Sequence, residues 1–193
     1  MNGTIPIVTT GDSENTYIHT AVFPVNYRQF YLLDGNPRGR TLPIPHAPGE
    51  SHAGILRTVR GGAFLVTGLC LGVVDLTVSV HHHEPMALLD EYEDVVEVSL
   101  EVIAEPLRVD SWHSGKFIVL PPLPSGAGWY RLRYHARDME RAYDGYSEVP
   151  IDSFHLQIWA EPQYEPEVLK ITSHIAKSWL SAQPYRPANQ QES

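Results

Sequence analysis

The chain has 193 residues, 42% apolar and 19% charged, enough for one globular domain with a full core and outside the composition of a disordered chain. Its 14 Lys and Arg against 23 Asp and Glu leave a net charge of −9, which argues against unspecific attraction to nucleic acid or an anionic membrane and favours a basic partner. Cys70 is the one cysteine, so no intrachain disulfide forms; the N-terminus has no signal-peptide pattern and the longest apolar run is 12 residues, Ala63 to Val74, so the sequence reads as soluble and cytoplasmic.

Along the chain, 16 prolines and 14 glycines punctuate segments that alternate at period two, the signature of strands. "TAVFPVNYRQFYLLD" gives the first one or two. Residues 35–62 hold many breakers and little periodicity and are expected to form a long surface loop. "AFLVTGLCLG" follows, and in "DLTVSV" Leu76, Val78 and Val80 face inward. In "VVEVSLEVI" the inner row is Val96, Val98, Leu100 and Val102 and the outer row Glu97, Ser99 and Glu101. "LRVDSW", "KFIVL", "GWYRLRYHA" and "SFHLQIWA" complete the set, with Tyr130, Leu132, Phe154, Leu156 and Ile158 pointing in. The expected fold is all-β: an antiparallel β-sandwich, jelly-roll or immunoglobulin-like, of about eight strands over residues 1–165. After it, Val168, Ile171, Ile175 and Trp179 fall at helical spacing, so residues 166–182 are expected to form an amphipathic C-terminal helix docked on the sandwich, and 183–193 a frayed tail.

"GWYRLRYHARD" sets Trp129, Arg131, Arg133, His135 and Arg137 on one face of one strand of an acidic chain. The acids lie upstream: between Glu84 and Asp110 stand nine carboxylates against one base, Arg108, which is −8 of the total −9. Glu97 and Glu101 are expected to answer Arg131, Arg133 and Arg137 as exposed pairs across neighbouring strands, each contributing only ~0.2–1 kcal/mol. A nucleic-acid face with Trp129 and Trp159 as stacking platforms is the competing reading, and the net charge opposes it. Asp90, Glu91, Glu93 and Asp94 crowd around Tyr92 in a turn ahead of a strand. They serve either as a solvated, aggregation-blocking turn or as a surface for a basic partner with Tyr92 as its aromatic anchor.

"HHHEP" puts His81 and His83 on one face of a strand end, with Glu84 as a third candidate metal ligand. The pair resembles the His-x-His of jelly-roll metal enzymes, but Leu88 and Leu89 stand where an acid is expected and Trp129 where a fourth ligand is expected, so the set is incomplete. "GESHA" around Ser51 lacks the preceding apolar strand and the final glycine of a nucleophile elbow, and reads as a turn.

Two resemblances carry further. Asp94 to Leu100, Pro124 to Asp138 and Leu156 to Pro162 resemble uncharacterised actinobacterial proteins with a "GWYRLRYHARD"-type strand. The order "YRQFYLLD", a strand with a histidine end, a "YED" turn before an apolar strand, and Leu123 to Leu132 resembles the competence protein J family of DNA-entry nuclease inhibitors, over residues 17–162. That resemblance implies a small cytoplasmic β-sandwich of immunity or inhibitor type, non-catalytic and without cofactor, that binds and blocks a nuclease; the acid turn, Asp90, Glu91, Tyr92, Glu93 and Asp94, is the expected partner-binding surface. The alternatives are a sandwich module binding another protein or a small ligand, and a metal-dependent jelly-roll enzyme using His81 and His83.

Overall fold

A computed structural model describes residues 16–36, 43–112 and 114–182. The long strands form where alternation is strongest. β1 (Thr16–Asn26) pairs antiparallel with β6 (Leu71–His81) along its whole length. β7 (Asp94–Val102), β10 (Gly128–Arg137) and β12 (Ser153–Ala160) form an antiparallel block. Beyond β1 follow β2 (Gln29–Leu33), β5 (Gly62–Val66), β4 (Leu56–Val59) and β3 (Ser51–His52), and β13 (Glu167–Ile171) flanks β7 at the other end. The hairpin of β8 (Arg108–Asp110) and β9 (Phe117–Val119) pairs with β2, and β11 (Tyr146–Ser147) with β6.

The expected jelly-roll or immunoglobulin-like sandwich of two antiparallel sheets is therefore corrected to one curled, mixed sheet. The physical reason is the contact of β12 with β6, which is parallel, with Phe154 opposite Leu76 and Ile158 opposite Val80. It joins the two antiparallel blocks edge to edge, so the sheet bends around its core instead of stacking on a second sheet. The far ends approach one another: Thr58 Oγ1 on β4 donates to the Ser99 carbonyl on β7 at 2.8 Å, and the Gly61 amide to the Glu101 carbonyl at 2.9 Å. The result is a half-barrel. All twelve side chains expected to point inward are 3% exposed or less, because alternation decides a strand's buried face whichever neighbour it acquires.

Two segments differ from expectation. Residues 35–62 contain β3 and β4, and Ile55, Leu56 and Arg57 are buried there. The C-terminal segment begins as a strand: Val168 pairs with Val96 on the open edge of β7, and only then does helix α1 (His174–Ser181) start. The switch is set by Ser173, whose side chain caps the helix by accepting from the Ala176 amide at 3.0 Å. Ser173→Ala is expected to cost ~1 kcal/mol, measured by denaturant unfolding; an unchanged midpoint would contradict this role for the hydroxyl. The expected tail, 183–193, lies outside the described residues. Cys70 is a free, half-buried thiol. Among the described residues, no helix is long and apolar enough to cross a membrane.

Candidate interaction surface

The middle of the cationic face of β10, Arg131, Arg133 and His135, is packed under other parts of the chain, while Trp129 and Arg137 at its ends are exposed. Register places Glu97, Arg133, Gln157 and Ser79 side by side on β7, β10, β12 and β6, all buried. The next row is Ser99, Arg131, Trp159 and His81. Glu97 serves both arginines, with Arg131 Nε at 2.9 Å from Oε2 and Arg133 Nε donating to Oε1. The expected pairing with Glu97 thus exists, but it is buried, with Glu97 6% and each arginine 2% exposed. Glu101 belongs to another pair, since Arg60 takes it at 3.0 and 3.3 Å. Arg137 stacks over Tyr92 and lies 3.7 Å from Asp138. Trp159, at 2% exposure under the Arg133 guanidinium, is no stacking platform for a base.

Two straps cover this layer. Residues 82–93 cross it held by Arg133, which donates to the Pro85 carbonyl and to Glu84 at 2.6 Å each, and by Gln157, which donates to the Met86 carbonyl at 3.2 Å. Further along, the Leu88 amide donates to His135 Nε2 at 3.2 Å and Lys170 Nζ to the Leu89 and Tyr92 carbonyls at 2.7 and 2.8 Å. Residues 161–166 form the second strap, where Arg131 Nη1 donates to the Tyr164 and Glu165 carbonyls at 3.3 and 3.0 Å. The guanidinium groups thus satisfy backbone carbonyls that a loop laid across a sheet would otherwise leave without donors.

Histidines complete the layer. His135 Nε2 accepts from Leu88, so its Nδ1 carries the proton and donates to the His155 carbonyl at 3.0 Å. Ser79 Oγ bridges His155 Nε2 at 2.9 Å and His81 Nε2 at 2.7 Å. Burial pushes His135 down to about 4 and His155 to about 3, the latter helped by the neighbouring His135 and His81. Both are neutral at pH 7.

The acid turn sits at the end of the first strap. Asp90, Glu91 and Glu93 are exposed, and Glu93 Oε2 accepts from the Asp138 amide at 3.0 Å. Tyr92 is half-buried, its ring 5.1 Å from His135 and 5.5 Å from the Arg137 guanidinium. Asp94 is fully buried at the start of β7, where Oδ1 accepts from the Thr172 and Ser173 amides at 2.9 and 3.0 Å and so fixes the entry to α1. Three side chains of the predicted set face solvent; the other two hold the turn in place.

The histidine cluster is dispersed. His81 is engaged with Ser79, His83 is exposed and Glu84 is taken by Arg133. The described residues contain no group of three His, Cys, Asp or Glu side chains placed to hold a metal. Sequence reasoning missed His155, Gln157 and Ser79. The signal was present, since His155 and Gln157 alternate with the apolar Phe154, Leu156 and Ile158 in "SFHLQIWA".

Strand order and site together define a mostly-β half-barrel that carries an acidic turn on a strap pinned over buried arginines. Among solved structures, the chain is similar to ComJ, inhibitor of the DNA degrading activity of NucA, from Bacillus subtilis, at 15% identity and TM-score 0.49, with 77% of this chain and 98% of that one covered. It is also similar to the protein described as Crocagin biosynthetic gene J, at 13% identity and TM-score 0.49, with 76% and 98% covered. No family model and no curated protein matches the chain.

Proposed function

We propose that this is a non-catalytic binding protein whose acid turn engages a basic protein partner, a nuclease being the partner class implied by the resemblance of residues 17–162 to competence protein J. The observation that carries the reading is the placement of Asp90, Glu91 and Glu93: exposed carboxylates on a strap held from beneath by Arg133, His135, Gln157 and Lys170. Fixing charges in advance lowers the ordering cost of binding, and like charges grouped on an acidic chain steer a basic partner toward them. A carboxylate surface also suits the cationic or metal-bearing groove with which a nuclease grips phosphate. Tyr92 and Asp94 contribute by fixing the turn from inside.

The test is co-expression with the product of the neighbouring reading frame, followed by pull-down and an assay of DNA degradation with and without this chain. In the resulting complex, Asp90→Asn, Glu91→Gln and Glu93→Gln together are expected to slow association ~10-fold or more at low salt and to flatten its dependence on ionic strength. Thermal stability should hold or rise slightly, because exposed like charges are removed. Identical salt slopes for parent and variant would sink the reading. A variant that binds normally but aggregates would assign the turn to solubility instead.

A further inference from the structure

A pocket of about 350 Å³ lies between α1 and the turn after β10, lined by Glu140, Tyr143, His174, Ile175, Ser178 and Trp179. Its walls are fixed from behind on both sides. Met139 and Ala142 are buried and Tyr143 bridges to Leu69, which anchors the turn. On the helix side Ile175 and Ala176 are buried, Trp179 packs on Phe64 at 6.0 Å, and Glu140 Oε1 accepts from the His174 amide. Such a pocket exists before any ligand arrives.

We propose that this pocket seats an arginine side chain of the basic partner. The inference rests on the reading of the acid turn as the partner's face, and names the anchor beside it. Two aromatic rings and one carboxylate are the groups that a guanidinium on an apolar stem satisfies together: the stem lies on Tyr143, Ile175 and Trp179, the planar cation stacks on a ring, and its N–H fork reaches Glu140. The arginines already near these rings belong to other pairs. Arg28 lies 5.1 Å over Tyr143 and 3.9 Å from Asp144, and Arg57 lies 5.5 Å over Trp179 and 2.7 Å from Glu50. Among the described residues no cation pairs with Glu140, which leaves its carboxylate to an incoming one.

Charge selects a basic partner over a second copy of this chain. Glu140 also borders a notch lined by Glu93, Asp138, Arg141, Thr172 and Ser173, in which Arg141 is paired with Asp138 at 3.1 Å. Glu140 lines both the pocket and this notch, and Glu93 of the acid turn lines the notch, so the carboxylates of Glu93, Asp138 and Glu140 lead from the turn to the pocket. Two such faces, each on a chain of net charge −9, repel.

The experiment titrates the intact chain with N-acetyl-arginine amide and with N-acetyl-norleucine amide, followed by amide NMR shifts. Binding of the arginine compound is expected on the order of 1 mM, fitting its size, with shifts confined to residues 140–143 and 174–179. Glu140→Gln, which keeps an acceptor for the His174 amide, and Tyr143→Ala should each weaken it fivefold or more, and the norleucine compound should bind at least tenfold more weakly. Equal binding of the uncharged compound, shifts elsewhere, or an unaffected Glu140→Gln variant would overturn the proposal. The triple variant of Asp90, Glu91 and Glu93 separates the two readings. If the arginine compound fails while that variant slows partner association, the pocket inference alone falls; if the compound binds while the variant leaves association unchanged, the acid-turn reading falls and with it the assignment of the occupant to that partner, and what stands is a guanidinium-binding pocket.

Discussion

Replacing Glu97 with alanine is expected to destabilise the protein by ~3–5 kcal/mol, a large share of the ~5–15 kcal/mol that holds a domain of this kind together. Glu97 is the acceptor for two guanidinium groups, each 2% exposed, and its removal leaves Arg131 and Arg133 short of a counter-charge where water cannot replace it. Their remaining partners are mostly neutral: the Tyr164, Glu165 and Pro85 carbonyls, Ser99 and Gln157, with two solvent-exposed carboxylates, Glu84 on Arg133 and Glu167 at 3.9 Å from Arg131. Glu97→Gln should lose less, because an amide oxygen still accepts one bond while the charge is gone. Denaturant unfolding of the two variants gives the comparison. An alanine variant within 1 kcal/mol of the parent would mean that the straps open and admit water to the arginines, and that they do not form the rigid base assigned to the acid turn.

How far this architecture is legible in sequence follows from which features are local. The inward rows of β6, β7, β10 and β12 are, because a period of two selects the buried face before any strand finds its neighbour. Pairing of Arg131 and Arg133 with Glu97 on β7 is also legible, from sign and alternation, whereas the expected partners of Glu101 and Arg137 are not the ones found. Their burial is not, since the segment from His82 to Glu93 reads as an ordinary polar loop and nothing local tells it to lie across a sheet. The same holds for the single curled sheet: the parallel register of β12 on β6 joins residues more than 70 positions apart. At the C-terminus Val168 and Ile171, three apart, suit a helix as well as a strand, and the open edge of β7 decides. Within the candidate site, composition marks the acid turn, while the inward role of Asp94 depends on the Thr172 and Ser173 amides far along the chain. The pocket at Glu140 and Tyr143 lies in "MERAYDGYSE", which has neither alternation nor a motif, and only the docking of α1 creates it.

Lowering the pH from 7.5 to 5 is expected to destabilise the protein by roughly 2 kcal/mol for each of the two buried histidines. Their folded values, about 4 for His135 and about 3 for His155, lie below the ordinary 6.5 of an exposed imidazole. Between those limits the unfolded chain binds more protons than the folded one, so stability falls as pH falls. Above 6.5 both forms are neutral and the effect vanishes; below about 3 both are protonated and it levels off. The groups facing His135 offset burial only in part: the His155 carbonyl and Glu97 favour the cation, but Arg133 disfavours it, Glu97 is already shared by two arginines, and Nε2 must stay unprotonated to accept from Leu88. Burial lowers His52 and His81 as well, with the same sign. Exposed carboxylates titrate mainly below this window; burial raises the Asp152 carboxyl, which acts with the opposite sign, so melting temperature from pH 7.5 to 5 reads the imidazoles less any share of Asp152. His135→Gln, which keeps an acceptor for the Leu88 amide, should remove roughly half of the share that the two most deeply buried rings contribute to the slope. Because protonation of His135 breaks the Leu88 contact, hydrogen exchange at Leu88 and along the acid turn should quicken before global unfolding. A melting temperature flat across the window would show that these rings reach water in the folded state, against the geometry of the layer.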